Sequence, residues 1–153
     1  MFTNPEIEYN LKMAAKLREL GFDVYCPNEN KLINNKLKAD ITGELIFNAD
    51  MEQILDCNVY ICQVSEDSGT MYETGFMHCL SEYVNPKKYY GVIGLATDMR
   101  LKTLPNVNKS GINNQAMYIN QFVIGGLKSS LGVCTTEEEL FNRLKEIEKQ
   151  HTA

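Results

Sequence analysis

The chain has 153 residues, 44% of them hydrophobic and 23% charged, with a formal net charge of −5. That length suits one domain over 1–153 with a full core, and the composition is that of an ordinary globular protein. The acidic balance and the lack of a Lys/Arg cluster argue against nucleic acid as partner, and no apolar run is long enough to span a bilayer. Lys87-Lys88 reads as a solvated turn. Five cysteines, at 26, 57, 62, 79 and 134, form no Cys-x-x-Cys pair. Three lie in apolar runs as small buried hydrophobes, which predicts a reducing, cytoplasmic setting. The N-terminus does not read as a secretory signal. His78 and His151 lack metal-ligand spacing, so no metal is expected.

Thr3-Asn4-Pro5-Glu6 is a helix start, with a polar cap, an early Pro and a Glu three residues after Thr3. Ile7, Leu11, Ala14, Leu17 and Leu20 recur at helical spacing until Gly21. Phe22 to Cys26 predicts a strand. Pro27 to Lys38 is Asn-rich and reads as a loop, with Asn28, Glu29 and Asn30 at the mouth of that strand. Ala39 to Leu55 predicts a helix. On it Asp50 stands among Phe47, Ala49, Met51 and Ile54, and alone it reads as a solvent-facing acid.

Asn58 to Val64 is β-branched and apolar and predicts a buried strand. Phe76 to Val84 predicts a helix. Between them, Asp67-Ser68-Gly69-Thr70-Met71-Tyr72-Glu73-Thr74-Gly75 is a strand-to-helix turn, where ligands bind in open α/β sheets. Asp67 or Ser68 can cap the helix, and Gly69 lets backbone approach a ligand. Glu73 falls in the first turns, where the helix dipole favours its ionised form. Taken singly, Asp67 is an N-cap, Glu73 a first-turn acid and Gly75 a close-packing site. Their combination in one turn points to a carboxylate nucleophile.

Asn85 to Lys88 is a turn and Tyr89 to Ala96 a strand. Thr97 to Gln115 reads as a loop with a short helical piece near Met99-Arg100-Leu101. Met117 to Leu127 is apolar, interrupted by Asn120 and Gly125-Gly126. Gly132 to Cys134 is a short last strand. Thr135 to Glu139 is a capping box, and Leu140, Phe141, Leu144 and Ile147 line the core face of the final helix. The alternation predicts an α/β fold with a parallel sheet flanked by helices.

Asp67-x-Gly69-Thr70-x-x-Glu73-x-Gly75 resembles the signature of the nucleoside 2-deoxyribosyltransferases. Phe47-Asn48-Ala49-Asp50 is similar to that family's segment with a second catalytic Asp. Tyr118-Ile119-Asn120-Gln121-Phe122 is similar to the segment whose Asn reaches a neighbouring subunit's site. Phe2-Thr3 and Val24 to Asn30 resemble the family's opening, so the likeness runs in order along nearly the whole chain. It implies a flavodoxin-like (Rossmann-like) sheet. It also exposes a departure: the family's first strand, which ends in a Gly-rich turn and often carries a Tyr that orients the nucleophile, has no counterpart before Phe2. Either the sheet closes up or borrows a strand from another subunit, or the chain starts upstream of Met1, which the join in mid-motif favours. Tyr25, Tyr60 and Tyr72 are candidates for the orienting role, and nothing in the sequence selects one.

The resemblance implies a transferase that moves 2-deoxyribose between nucleobases through a covalent deoxyribosyl-glutamate, without metal or organic cofactor. Glu73 is the expected nucleophile, Asp50 the acid for the leaving base and Asp67 the ligand of a sugar hydroxyl, the last two roles being exchangeable. Phe2, Glu29, Asn30, Gly69, Thr70 and Asn120 are the expected substrate-binding residues. Asn120 acts from a neighbouring subunit, which implies a homo-oligomer. The alternatives are a hydrolase of deoxynucleoside 5′-monophosphates, which lacks a Lys or Arg near the motif, and a nucleotide-binding module without catalysis.

Overall fold

A computed structural model of the chain describes residues 3–34, 40–98 and 119–152. Phe2, Tyr118, the helical piece expected at 99–101 and the start expected at Ala39 lie outside the described residues. The chain divides into two compact units, residues 1–56 and residues 57–153.

In the first unit, α1 spans Asn4–Glu19. The Thr3 N–H and hydroxyl both donate to Glu6 Oε2, at 2.6 and 2.8 Å, so the polar start and the acid three residues on close the first turn together. Met13, Ala14 and Leu17 form its buried face. Gly21 ends it at φ 95, in the left-handed region that glycine enters without strain.

The strand expected at Phe22–Cys26 does not form. A strand exists through its ladder, and among the described residues this segment pairs with no other strand. Its backbone is held from one side instead. The Phe22 N–H donates to the Leu17 carbonyl at 3.2 Å, and Arg18 Nη2 donates to the Val24 carbonyl at 2.7 Å.

The loop expected over 27–38 also contains structure, a 3-10 turn at Pro27–Glu29 and a single helical turn, α2, at Lys31–Asn34. Asn34 Nδ2 donates to the carbonyls of Pro27 and Asn28, at 2.9 and 2.8 Å. The Asn-rich composition that reads as loop supplies the side chains that wind it. α3 spans Gly43–Asp56. It begins inside the expected helix because the Thr42 hydroxyl accepts the Leu45 N–H at 3.2 Å, as an N-cap does.

The second unit is built on three parallel strands, β1 (Val59–Gln63), β2 (Gly91–Leu95) and β3 (Val133–Cys134), in the order β1-β2-β3. Val59 pairs with Gly91, Gln63 with Leu95, and Leu95 with Cys134. All five residues of β2 are buried, as expected of a strand with neighbours on both edges. Gly91 enters β2 at φ +136, and Ser130 Oγ accepts the Val92 N–H there at 2.8 Å.

Helix α4 (Ser68–Cys79) follows β1 and runs into a π turn at Leu80–Val84. Helices α5 (Gln121–Ser129) and α6 (Glu137–Thr152) complete the set. The apolar stretch at 117–127 is therefore helical from Gln121 onward. At the start of α6, Thr136 Oγ1 accepts the Glu139 N–H at 3.1 Å, and Glu139 Oε2 accepts the Thr135 N–H at 2.6 Å. At its end, His151 stacks on Tyr90 with ring centroids 3.6 Å apart. Met77, Val92, Ile93, Leu95, Leu127 and Leu140 fill the core. The parallel sheet flanked by helices is the flavodoxin-like α/β arrangement. Among the described residues no helix is long and apolar enough to cross a membrane.

Candidate active site

The junction of β1 and α4 is organised by one carboxylate. Asp67 stands at the N-cap in extended conformation. Its Oδ2 accepts the Thr70 N–H at 2.8 Å and the Thr70 hydroxyl at 2.9 Å. The Thr70 amide holds this carboxyl below its ordinary 3.8, with the Thr70 hydroxyl helping and partial burial opposing. A methyl group at Gly69 would come within 3.2 Å of Asp67 Oδ2, so the glycine lets the cap swing across the turn. Among the described residues, a methyl at Gly75 would meet nothing within 4 Å. Close packing is therefore not why glycine stands there.

Glu73 is the sixth residue of α4. It lies in the second turn, past the end amides through which the helix dipole acts most strongly. A more specific contact holds it: the Tyr60 hydroxyl, from β1, donates to Glu73 Oε2 at 2.5 Å. Of the three tyrosines offered by the sequence, the structure brings Tyr60 to the glutamate. Tyr72 is 62% exposed. Two residues along β1, the buried Cys62 thiol is pushed up to about 11 by its burial. The Glu73 charge adds to that rise, and the Thr74 hydroxyl opposes it. That hydroxyl is buried without a conventional hydrogen-bond partner among the described residues.

In the first unit a second carboxylate is also gripped by a phenol. The Tyr25 hydroxyl donates to Asp50 Oδ1 at 2.9 Å and accepts from Asn30 Nδ2 at 3.1 Å. Asp50 is half-buried. Burial pushes the Tyr25 phenol up to about 12, and Asp50 adds to the rise while Asn30 opposes it. Glu29 is engaged elsewhere, with Arg18 donating to both of its oxygens at 2.9 and 2.6 Å. That guanidinium holds the Glu29 carboxyl below its ordinary range. Asn28 Oδ1 accepts from Asn10 Nδ2 at 2.9 Å.

Asn120 is exposed and caps α5, its Oδ1 accepting the Phe122 N–H at 2.9 Å. Phe122 beside it is 89% exposed. The structure thus places Asp67, Gly69, Thr70 and Glu73 within the cap and first two turns of α4, and Asn30 and Asp50 around Tyr25. The contact that sequence reasoning left unassigned is Tyr60, whose place in the strand feeding the motif was its one signal. Among the described residues no group of three or more His, Cys, Asp or Glu side chains could hold a metal ion.

A family profile described as nucleoside 2-deoxyribosyltransferase matches residues 1–144. The chain is similar in structure to a conserved protein from Enterococcus faecalis, with a TM-score of 0.74 and 28% sequence identity. That similarity covers 95% of this chain and 92% of the other. No curated protein matches the sequence.

Proposed function

The chain belongs to the nucleoside 2-deoxyribosyltransferase family, whose members transfer a pentosyl group between nucleosides and bases, and on that premise we propose that Glu73 is its nucleophile. Glu73 attacks C1′ of a deoxynucleoside. A Glu73–C1′ ester forms as the N-glycosidic bond breaks, with inversion. The departing base takes a proton from Asp50. A second base then attacks C1′ from the opposite side, breaks the ester and returns a proton to Asp50, so configuration is retained overall. The logic is that of retaining glycosidases, with a carboxylate nucleophile and an oxocarbenium-like transition state.

The observation that carries this reading is the Tyr60 hydroxyl on Glu73 Oε2. Anchoring one oxygen fixes the plane of the carboxylate, and a nucleophile held in near-attack geometry has little orientational freedom left to lose. Asp67, with Oδ2 occupied by Thr70, offers Oδ1 to a sugar hydroxyl. Asn120 has Oδ1 engaged in its cap, and we assign its Nδ2 to the sugar of a neighbouring subunit in a homo-oligomer.

The test is incubation of the chain with a deoxynucleoside and a different free base, beside Glu73→Ala, with products separated by chromatography. A new deoxynucleoside, absent with the variant, is expected. Free deoxyribose without exchange would move the assignment to hydrolysis. Binding without turnover would move it to a nucleotide-binding module.

A further inference from the structure

In residues 1–56, Asp50 lies at the end of a directed chain of hydrogen bonds. Asn30 Oδ1 accepts the Leu32 N–H at 3.1 Å, which fixes the carboxamide, and Asn30 Nδ2 then donates to the Tyr25 hydroxyl. A phenol that accepts from an amide has its own proton left to give. Here that proton goes to Asp50 Oδ1 at 2.9 Å. With its pKa pushed up to about 12 by burial, Tyr25 stays protonated through the neutral range and remains a donor.

We infer that Tyr25, aimed by Asn30, is the positioning residue of Asp50, holding the carboxyl in the orientation from which it exchanges a proton with the nucleobase. This rests on the reading of the reaction given above. Tyr25 touches no reacting atom and acts only through the aspartate. Proton transfer demands geometry before acidity. A misaligned Asp50 therefore fails where the leaving group needs a proton, and matters little where it needs none.

The experiment compares two donors in the full chain. One is the deoxynucleoside that the wild type turns over fastest, and the other is p-nitrophenyl 2-deoxyriboside, whose phenolate leaves unprotonated. Tyr25→Phe is expected to lower kcat about tenfold or more on the deoxynucleoside, a part of what acid–base catalysis contributes. KM, and the burst rate of p-nitrophenolate release, which reports only the first half-reaction, should stay within about twofold, because forming the Glu73 ester from that donor needs no proton. Tyr25→Met, which likewise deletes the donor, should show the same split between the two donors, and it serves as the deciding variant if Tyr25→Phe unfolds. An equal loss in the p-nitrophenolate burst rate, a change confined to KM, or no loss would each overturn the role of Tyr25 and leave the transferase reading standing. A wild type inert toward every deoxyribosyl donor would overturn that reading and this inference together.

Discussion

The Tyr60 hydroxyl and Glu73 Oε2 lie 2.5 Å apart across thirteen residues of sequence. One side chain comes from the strand that feeds the turn and the other from the helix that leaves it, so their meeting depends on how α4 docks on β1. Tyr60→Phe keeps the ring and deletes the donor. It is expected to lower kcat about tenfold to a hundredfold, as loss of nucleophile alignment does. Stability to melting should fall by no more than the roughly 1.5–3 kcal/mol net that a hydrogen bond to a charged group contributes. Tyr72→Phe, at a 62% exposed position, is the control and should match the wild type. Steady-state kinetics beside thermal melting check both.

Asp67→Ala removes the cap of α4 and should cost about 0.5–2 kcal/mol at neutral pH. The native carboxyl is held below 3.8, so its charge-dependent stabilisation is fully present above that value. It is lost as pH falls through the lower folded value. The gap between wild type and variant should therefore narrow in strong acid, as urea titrations across the acid range would show. A gap that widened there would contradict the sign.

Two glycines make opposite predictions. Gly91 sits at φ +136, and a methyl there would collide with the Ser130 hydroxyl that accepts the Val92 N–H. Gly91→Ala should destabilise the chain by about 2 kcal/mol or more, from backbone strain and crowding together. Gly75 lies inside α4 with nothing among the described residues within 4 Å of its Cβ. Gly75→Ala should stabilise by about 0.5–1 kcal/mol through helix propensity alone. Denaturant midpoints would separate the two.

The thiols should label in order of burial. Cys79 is exposed, Cys57 intermediate, and Cys26, Cys62 and Cys134 are buried. Burial also pushes the pKa of each of the last three up, which lowers their thiolate fraction near neutrality. Brief alkylation of the folded chain followed by mass spectrometry should modify Cys79 first, and the buried three only after denaturation.

Much of the architecture was legible in the sequence because burial writes itself into composition. Val59–Gln63 and Gly91–Leu95 lie within the stretches whose apolar runs announce strands. The Thr3 and Thr136 starts obey local capping rules that need no knowledge of the rest of the chain. Phe22–Cys26 shows the limit. Its residues are as strand-like as those of β1, but a ladder requires a neighbour, and composition does not report neighbours. The same limit hid the choice among tyrosines. Tyr60 and Glu73, like Tyr25 and Asp50, are distant in sequence and meet only through tertiary packing. Asp67 with Thr70 was readable because its partner is three residues away.

Arg18 does for Phe22–Cys26 what a neighbouring strand does elsewhere, and it does so with a charge. It grips the Val24 carbonyl and both oxygens of Glu29 at once, with both partners of the pair 40% exposed. Exposed ion pairs are screened by dissolved salt, whereas amide ladders between buried strands are not. Ionic strength is therefore a local dial in this molecule. Raising it should loosen the corner from Asp23 to Asn30 while leaving β1, β2 and β3 in register. Replacing Arg18 with lysine, which cannot fork across both carboxylate oxygens, would leave that corner loosened at any salt concentration.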